Sequence, residues 1–386
     1  MTKVVVAMSG GVDSSVAAAL LKEQGYDVIG MMMRLWSEPG RGPQAPVNRC
    51  CTPDQMADAR RVAAALDIPF YVVDVQDYFR RTIVQFFVDE HARGRTPNPC
   101  ITCNRQIRFG YLLDRARALG ADFLATGHYA RVRREHAPPQ ENGVYKLLKA
   151  VDGHKDQSYV LHVLSQEELA HVLFPVGDYH KDEVRDLARE FDLPVAGKSE
   201  SMDLCFLGDG DYRRFLREHA AEAIQPGPIL TAGGEELGRH EGLPFYTIGQ
   251  RKGLGVSAGE PLYVLHKDAA RNALVVGRRD ELGQTTLLAR DVNWVVQAPQ
   301  RAIRAAVKIR YKAREEMARV EALGESRARI AFEEPVTGAT PGQGVVFFDG
   351  EEVLGGGIIA DGHLTGGWAA RTKEGPFRRP LEEELS

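Results

Sequence analysis

The chain has 386 residues, more than one hydrophobic core usually serves, so two or three domains are expected. Its hydrophobic fraction of 44%, charged fraction of 26% and formal net charge of −4 are those of an ordinary globular protein. They exclude a chain that is basic throughout, but not one with a local basic face. No apolar run approaches the roughly 18 residues of a membrane helix. Met1 to Ala7 lacks the length and cleavage site of a secretory leader and reads better as a strand. A cytoplasmic location with no membrane partner is therefore expected.

In chain order, residues 3 to 8 form a short β-branched run suited to a strand buried on both faces. Residues 14 to 24 have helical spacing and end at Gly25, and Val28 to Met33 reads as a second strand. A Pro- and Gly-rich loop runs from Ser37 to about Asn48. A helix over 53–66, a strand over 70–75, a helix over 112–119 and a strand over 122–126 follow. This alternation predicts an α/β fold with a doubly wound parallel sheet. After about residue 205, short strands between turns predict two smaller, mainly β domains, with a break near 285. The expected units are 1–205, 206–285 and 286–370. The charged tail 371–386 is expected to be disordered.

Ser9-Gly10-Gly11-Val12-Asp13-Ser14-Ser15 lies between the first strand and the first helix. Glycines there let backbone N–H groups approach an anion, and the helix N-terminus adds its positive dipole end. The loop lacks the Gly-Lys-Ser/Thr ending of a Walker sequence and the Gly-x-Gly-x-x-Gly of a dinucleotide fold. It resembles the pyrophosphate-loop ATPases, which transfer AMP to an oxygen and release pyrophosphate.

The five cysteines are Cys50, Cys51, Cys100, Cys103 and Cys205, an odd set that argues against a disulfide framework. Thr96-Pro97-Asn98-Pro99-Cys100-Ile101-Thr102-Cys103 places two prolines ahead of two thiols. If the fold brings Cys103 and Cys205 together, one can carry a sulfane sulfur and the other can break the S–S bond, leaving a disulfide. Arg105, Arg108 and Lys198 are candidates to stabilise a thiolate. Half of a zinc site at Cys100 and Cys103, or plain burial of Cys205, are the alternatives. No catalytic role is expected for Cys50 or Cys51.

Loop and cysteines together resemble the bacterial tRNA-specific 2-thiouridylase (MnmA) family. So do Gly30–Trp36, Arg95–Pro99, Ala125–Tyr129, Lys155–Tyr159, Phe174–Gly177, Gly249–Gly255 and Leu354–Ile359. The resemblance implies an adenine nucleotide alpha hydrolase-like first domain. It implies ATP, with Mg2+, held by Ala7, Met8, Ser9, Gly10, Gly11, Val12, Asp13 and Ser14, with Met33 and Gly127 against the nucleotide. Asn98, Pro99 and Cys100 match the segment that meets the target base, Cys103 the nucleophile and Cys205 the persulfide carrier. His128, Lys155, Asp156, Gln157, Arg310, Tyr311 and Gln343 are implied tRNA contacts, and Gln250, Arg251 and Lys252 are weaker ones.

The implied substrate is the wobble uridine of tRNAs for Lys, Glu and Gln, the implied partner a persulfide-donating sulfur carrier protein. Many members carry Asp where this chain has Cys100. Three cysteines could instead hold an iron–sulfur cluster with one open iron. In the last domain, alternation over Lys308-Ile-Arg310-Tyr311-Lys312 places three cations on one strand face, either a phosphate track or a solvated surface.

Overall fold

The computed structural model describes residues 1–38, 52–135, 143–199, 204–256 and 259–361. Cys50, Cys51 and the tail 371–386 lie outside the described residues, as does the Pro- and Gly-rich loop beyond Glu38.

The first part of the chain supplies strands β1 (Lys3–Ala7), β2 (Asp27–Arg34), β3 (Phe70–Asp74), β4 (Phe123–Thr126), β5 (Ala130–Glu135), β6 (Val144–Lys149) and β7 (Val172–Leu173). Five of them form a sheet in the order β3-β2-β1-β4-β7, with every pairing parallel. Val4, Val5 and Val6 of β1 are wholly buried, as expected for a central parallel strand covered on both faces. The helix Val12–Glu23 buries nearly its whole length against this sheet, and the helix Pro53–Ala65 starts on a Thr52–Gln55 capping box. Strand order reverses between β1 and β4. The crevice at their carboxyl ends is where an open α/β sheet takes a ligand.

Strands β8 (Gly227–Thr231), β9 (Glu236–His240), β10 (Tyr263–Asp268) and β11 (Ala273–Gly277) form a second sheet in the order β10-β11-β8-β9. Strands β12 (Gln284–Trp294), β13 (Ile303–Lys308), β14 (Glu316–Ala322), β15 (Ala328–Val336), β16 (Gly344–Asp349) and β17 (Glu352–Ile359) close into a barrel, because β12 pairs with both β15 and β17.

Two features depart from the sequence expectations. The β5–β6 hairpin extends the barrel sheet through the pairing of Leu148 with Glu352, so the first part of the chain reaches into the last. Strand β13 stops at Lys308. Residues 310–313 form a turn in which the Ala313 N–H donates to the Arg310 carbonyl (3.0 Å). The expected stripe of Lys308, Arg310 and Lys312 on one strand face is therefore not formed: alternation ends where the hairpin turns toward β14.

Candidate active site

Ser9 to Ser14 occupies the crevice between β1 and β4. Gly10 has φ +70°, and a Cβ there would lie 2.2 Å from the Gln55 carbonyl oxygen. Glycine is thus required by backbone conformation and by the packing of the helix Pro53–Ala65, not only by the approach of an anion. Gly11 caps the first helix in extended conformation. Ser15 Oγ donates to the Gly11 carbonyl (2.8 Å), and Ser14 Oγ accepts from the Ser9 N–H (3.1 Å). These buried hydroxyls hold the loop's shape, while Ser9 is exposed. Gly127, just past β4, stacks on the helix start: a Cβ there would lie 2.6 Å from the Ser14 nitrogen.

Three groups that sequence reasoning did not place here complete the loop. Tyr129 Oη donates to the Asp13 carboxylate (2.9 Å), and Lys181 Nζ pairs with the same oxygen (2.5 Å). Lys198 Nζ donates to the Gly10 carbonyl (2.9 Å) and pairs with Asp58 (2.5 Å). Although burial opposes it, the Lys198 ammonium holds the Asp58 carboxyl below its ordinary range. Lys198, a candidate thiolate partner by sequence, is thus engaged at the phosphate loop. Arg108 bonds Asn104 (3.0 Å) and lies close enough to His128 to influence it electrostatically; Arg105 has the same relation to His162. The available signal for Lys181 was its place just after the Phe174–Gly177 motif, at the start of the helix Lys181–Glu190.

The helix Pro99–Cys103 carries the two thiols. Asn98 caps it, its side chain accepting from the Cys100 N–H (3.1 Å), and Pro99 occupies the first turn. Cys100 is exposed, Cys103 is buried and Cys205 is half-buried; none of the three is in a disulfide. Cys103 is packed in a cluster with Leu35, Val75, Phe79 and Phe206, and Cys205 and Met33 pack against that same cluster. The structure brings Cys103 and Cys205 to one apolar body and leaves Cys100 on the outer side of the helix. Among the described residues, Glu38, Glu218 and His219 alone bring three ligand atoms close enough for a metal ion. There Arg214 already takes both Glu38 oxygens (3.0 and 2.7 Å). The three cysteines form no such group.

The remaining candidates divide. Arg310 is exposed and Tyr311 half-buried, 6.1 Å ring to ring from Tyr159. Burial raises the Tyr311 hydroxyl above its ordinary value, with Asp156 and Cys100 close enough to add to the effect. The barrel turn thus lies beside the cysteine helix. Lys155 is half-buried. Asp156, by contrast, is buried and accepts from the N–H groups of Ala150 (3.0 Å) and Ser158 (3.2 Å) and from Ser158 Oγ (2.8 Å). Gln157 Oε1 accepts from the Tyr129 N–H (3.0 Å). Gln343 Nε2 donates to the Thr96 carbonyl (2.8 Å). His128 is buried between Phe109 and Phe174 with Nδ1 at 2.7 Å from Thr126 Oγ1, and burial holds it well below its ordinary pKa. Each of Asp156, Gln157, Gln343 and His128 thus bonds within the protein; Asp156 and His128 are buried, and Gln157 and Gln343 are half-buried.

A parallel sheet with a glycine-rich crevice loop, joined to two β modules, defines a HUP-domain protein with appended barrels. Residues 2–209 match the tRNA methyl transferase HUP domain, 213–278 the tRNA methyl transferase PRC-barrel domain, and 284–359 the aminomethyltransferase beta-barrel domain. A tRNA-specific 2-thiouridylase MnmA of Moorella thermoacetica is 51% identical over 92% of this chain and 98% of its own length. One of Roseiflexus castenholzii is 49% identical over 93% and 100%. This chain belongs to the MnmA family of tRNA-specific 2-thiouridylases. A 4-thiouridine synthetase solved with RNA and ATP matches at 16% identity and a TM-score of 0.32, over 57% of this chain and 51% of that one. That likeness is too slight to carry an argument.

Proposed function

We propose that this protein is an ATP-dependent tRNA sulfurtransferase that replaces the C2 oxygen of the wobble uridine in tRNAs for Lys, Glu and Gln with sulfur. The observation that carries the proposal is the packing of Cys103 and Cys205 on one apolar cluster. We read the chain as three working units: 1–205 for nucleotide and thiols, 206–285 as a central β unit, and 286–370 for tRNA.

The ATP polyphosphate fits the helix N-terminus at Gly11–Ser14, with the exposed Ser9 beside it and Lys181 and Lys198 as the nearby cations. Mg2+ would enter with the nucleotide. The base, flipped out of the anticodon loop, meets Asn98, Pro99 and Cys100. Its C2 oxygen attacks the α-phosphorus and pyrophosphate leaves, which turns a poor leaving group into AMP. The terminal sulfur of a Cys205 persulfide, supplied by a sulfur carrier protein, attacks C2, and AMP departs with the original oxygen. The Cys103 thiolate then attacks the Cys205 sulfur. The S–S bond to the base breaks, the new sulfur stays on C2, and a Cys103–Cys205 disulfide remains for an external thiol to reduce. Cys103 is buried, so substrate entry must open its surroundings.

The iron–sulfur route through Cys100, Cys103 and Cys205 is less well supported, because Cys100 stands apart from the cluster that the other two share. The test is mass analysis of tRNA nucleosides after reaction with ATP and a small persulfide donor. Sulfur at C2 of the wobble uridine supports the proposal, and sulfur at another uridine, or none, refutes it.

A further inference from the structure

The segment Arg95–Cys103, which bears Cys100 and Cys103, is not held by the first domain alone. The barrel grips it at Thr96 by both backbone groups. The Thr96 N–H donates to the Pro341 carbonyl (3.0 Å), and the Thr96 carbonyl accepts from Gln343 Nε2 (2.8 Å). Between them, Gly342 has φ +91°, and a Cβ there would sit 3.2 Å from the Thr96 nitrogen and carbonyl carbon. The next glycine, Gly344, is equally close to the cysteine helix: a Cβ would lie 2.6 Å from Ile101 Cδ1, and its carbonyl accepts from Tyr159 Oη (2.9 Å). On the other side Arg95 pairs with buried Glu90 (2.9 Å) and bonds Asp361 past the last barrel strand (2.6 Å).

From Thr96 the chain reaches the helix cap Asn98 through Pro97, and Pro99 follows. Proline fixes φ and restricts the residue before it, so this stretch has few torsions in which to absorb a displacement. A shift of the barrel at Thr96 is carried to Asn98 and to the helix bearing Cys103.

We propose that Gln343 is a positioning residue for the nucleophile. By holding the Thr96 carbonyl it sets where the Pro99–Cys103 helix presents Cys103, so that the barrel contributes to sulfur transfer itself and not only to tRNA affinity. The inference rests on the thiolation reading above for its effect on rate. Its effect on Cys103 reactivity is independent of that reading.

The experiment uses the full chain with Gln343→Met, which keeps length and removes the donor, and with Gln343→Asn as a milder second variant. Single-turnover transfer with persulfide-loaded protein and saturating tRNA should fall roughly tenfold in Gln343→Met and less in Gln343→Asn, while the KM for tRNA stays within about twofold. Without tRNA or ATP, alkylation of Cys103 by iodoacetamide, read by peptide mass, should accelerate at least about threefold, with Cys205 unchanged. A raised KM with unchanged rate makes Gln343 a tRNA contact and overturns the proposal. Unchanged Cys103 alkylation in both variants overturns it as well. If wild-type protein transfers no sulfur yet the alkylation arm responds, the thiolation reading fails and the clamp stands. If Gln343→Met does not fold, the same two readouts on Gln343→Asn decide.

Discussion

The phosphate loop and the thiol site are built in contrasting ways. The loop is completed without the barrel: Ser14 and Ser15 bond within it, Gly10 and Gly127 leave room for neighbouring backbone, and Asp13 is held by Tyr129 and Lys181. The thiol site is composite. Cys103 sits on a helix anchored to the barrel through Thr96, Cys205 arrives about a hundred residues later, and the turn bearing Arg310 and Tyr311 comes from the last domain. The first arrangement suits a site that must bind a polyphosphate in one geometry. The second suits the function proposed above, in which a site opens for a nucleic acid and then brings two thiols onto one base. Preorganisation is placed where charge is handled, and adaptability where a large substrate enters.

The sharpest way to break this contrast is at the thiols. Cys103→Ser and Cys205→Ser should each reduce sulfur transfer by about a thousandfold or more, with ATP affinity unchanged, as measured by single-turnover assay and calorimetric titration. Retained transfer in either would remove it from the mechanism. Next in size is Gly10→Ala, which forces a side chain against the Gln55 carbonyl at positive φ. ATP binding should weaken by roughly tenfold to a hundredfold in titration. Undiminished affinity would mean that the rigid loop is not the nucleotide site.

Acid should act on stability through buried imidazoles. Burial pushes His91 and His162 down to about 4, and His128 also downward. The unfolded chain then binds more protons between about 4 and the unperturbed value of about 6.5. Stability is therefore fully present above about pH 6.5 and is lost as pH falls toward 4. Denaturant titrations across that range should show the loss, and His162→Phe should flatten the slope. Cys100→Ser carries the smallest expected effect, a change in transfer rate of less than about threefold. A collapse of activity with loss of bound iron would favour the cluster route.

The two regions also differ in how far they could be read from sequence. The loop was legible because strand, glycines and helix start are contiguous, and nearly all its function is local backbone geometry. The parallel sheet was legible for the same reason, since buried β-branched strands alternate with amphipathic helices. The β5–β6 hairpin joining the barrel was not, because one register pair, Leu148 with Glu352, links residues two hundred apart. The cationic stripe failed because Arg310–Ala313 is a turn, and alternation continues in a sequence after a strand has ended. Lys198 was only a candidate thiolate partner, because charge near a cysteine in sequence carries no direction; its ammonium bonds the Gly10 carbonyl. Asp156 and Gln157 are implied tRNA contacts by resemblance, and nothing in the sequence signals the bonds they make to Ala150, Ser158 and Tyr129.

The pairing of Cys103 with Cys205 is tested most directly by the state of the thiols after one round of transfer. Persulfide-loaded protein is mixed with ATP and stoichiometric tRNA without reductant, then quenched in acid and digested for peptide mass analysis. A Cys103–Cys205 cross-linked peptide should appear in step with the thiolated nucleoside. Thiolated tRNA with Cys103 and Cys205 not cross-linked, or a cross-link to Cys100 in their place, would contradict it.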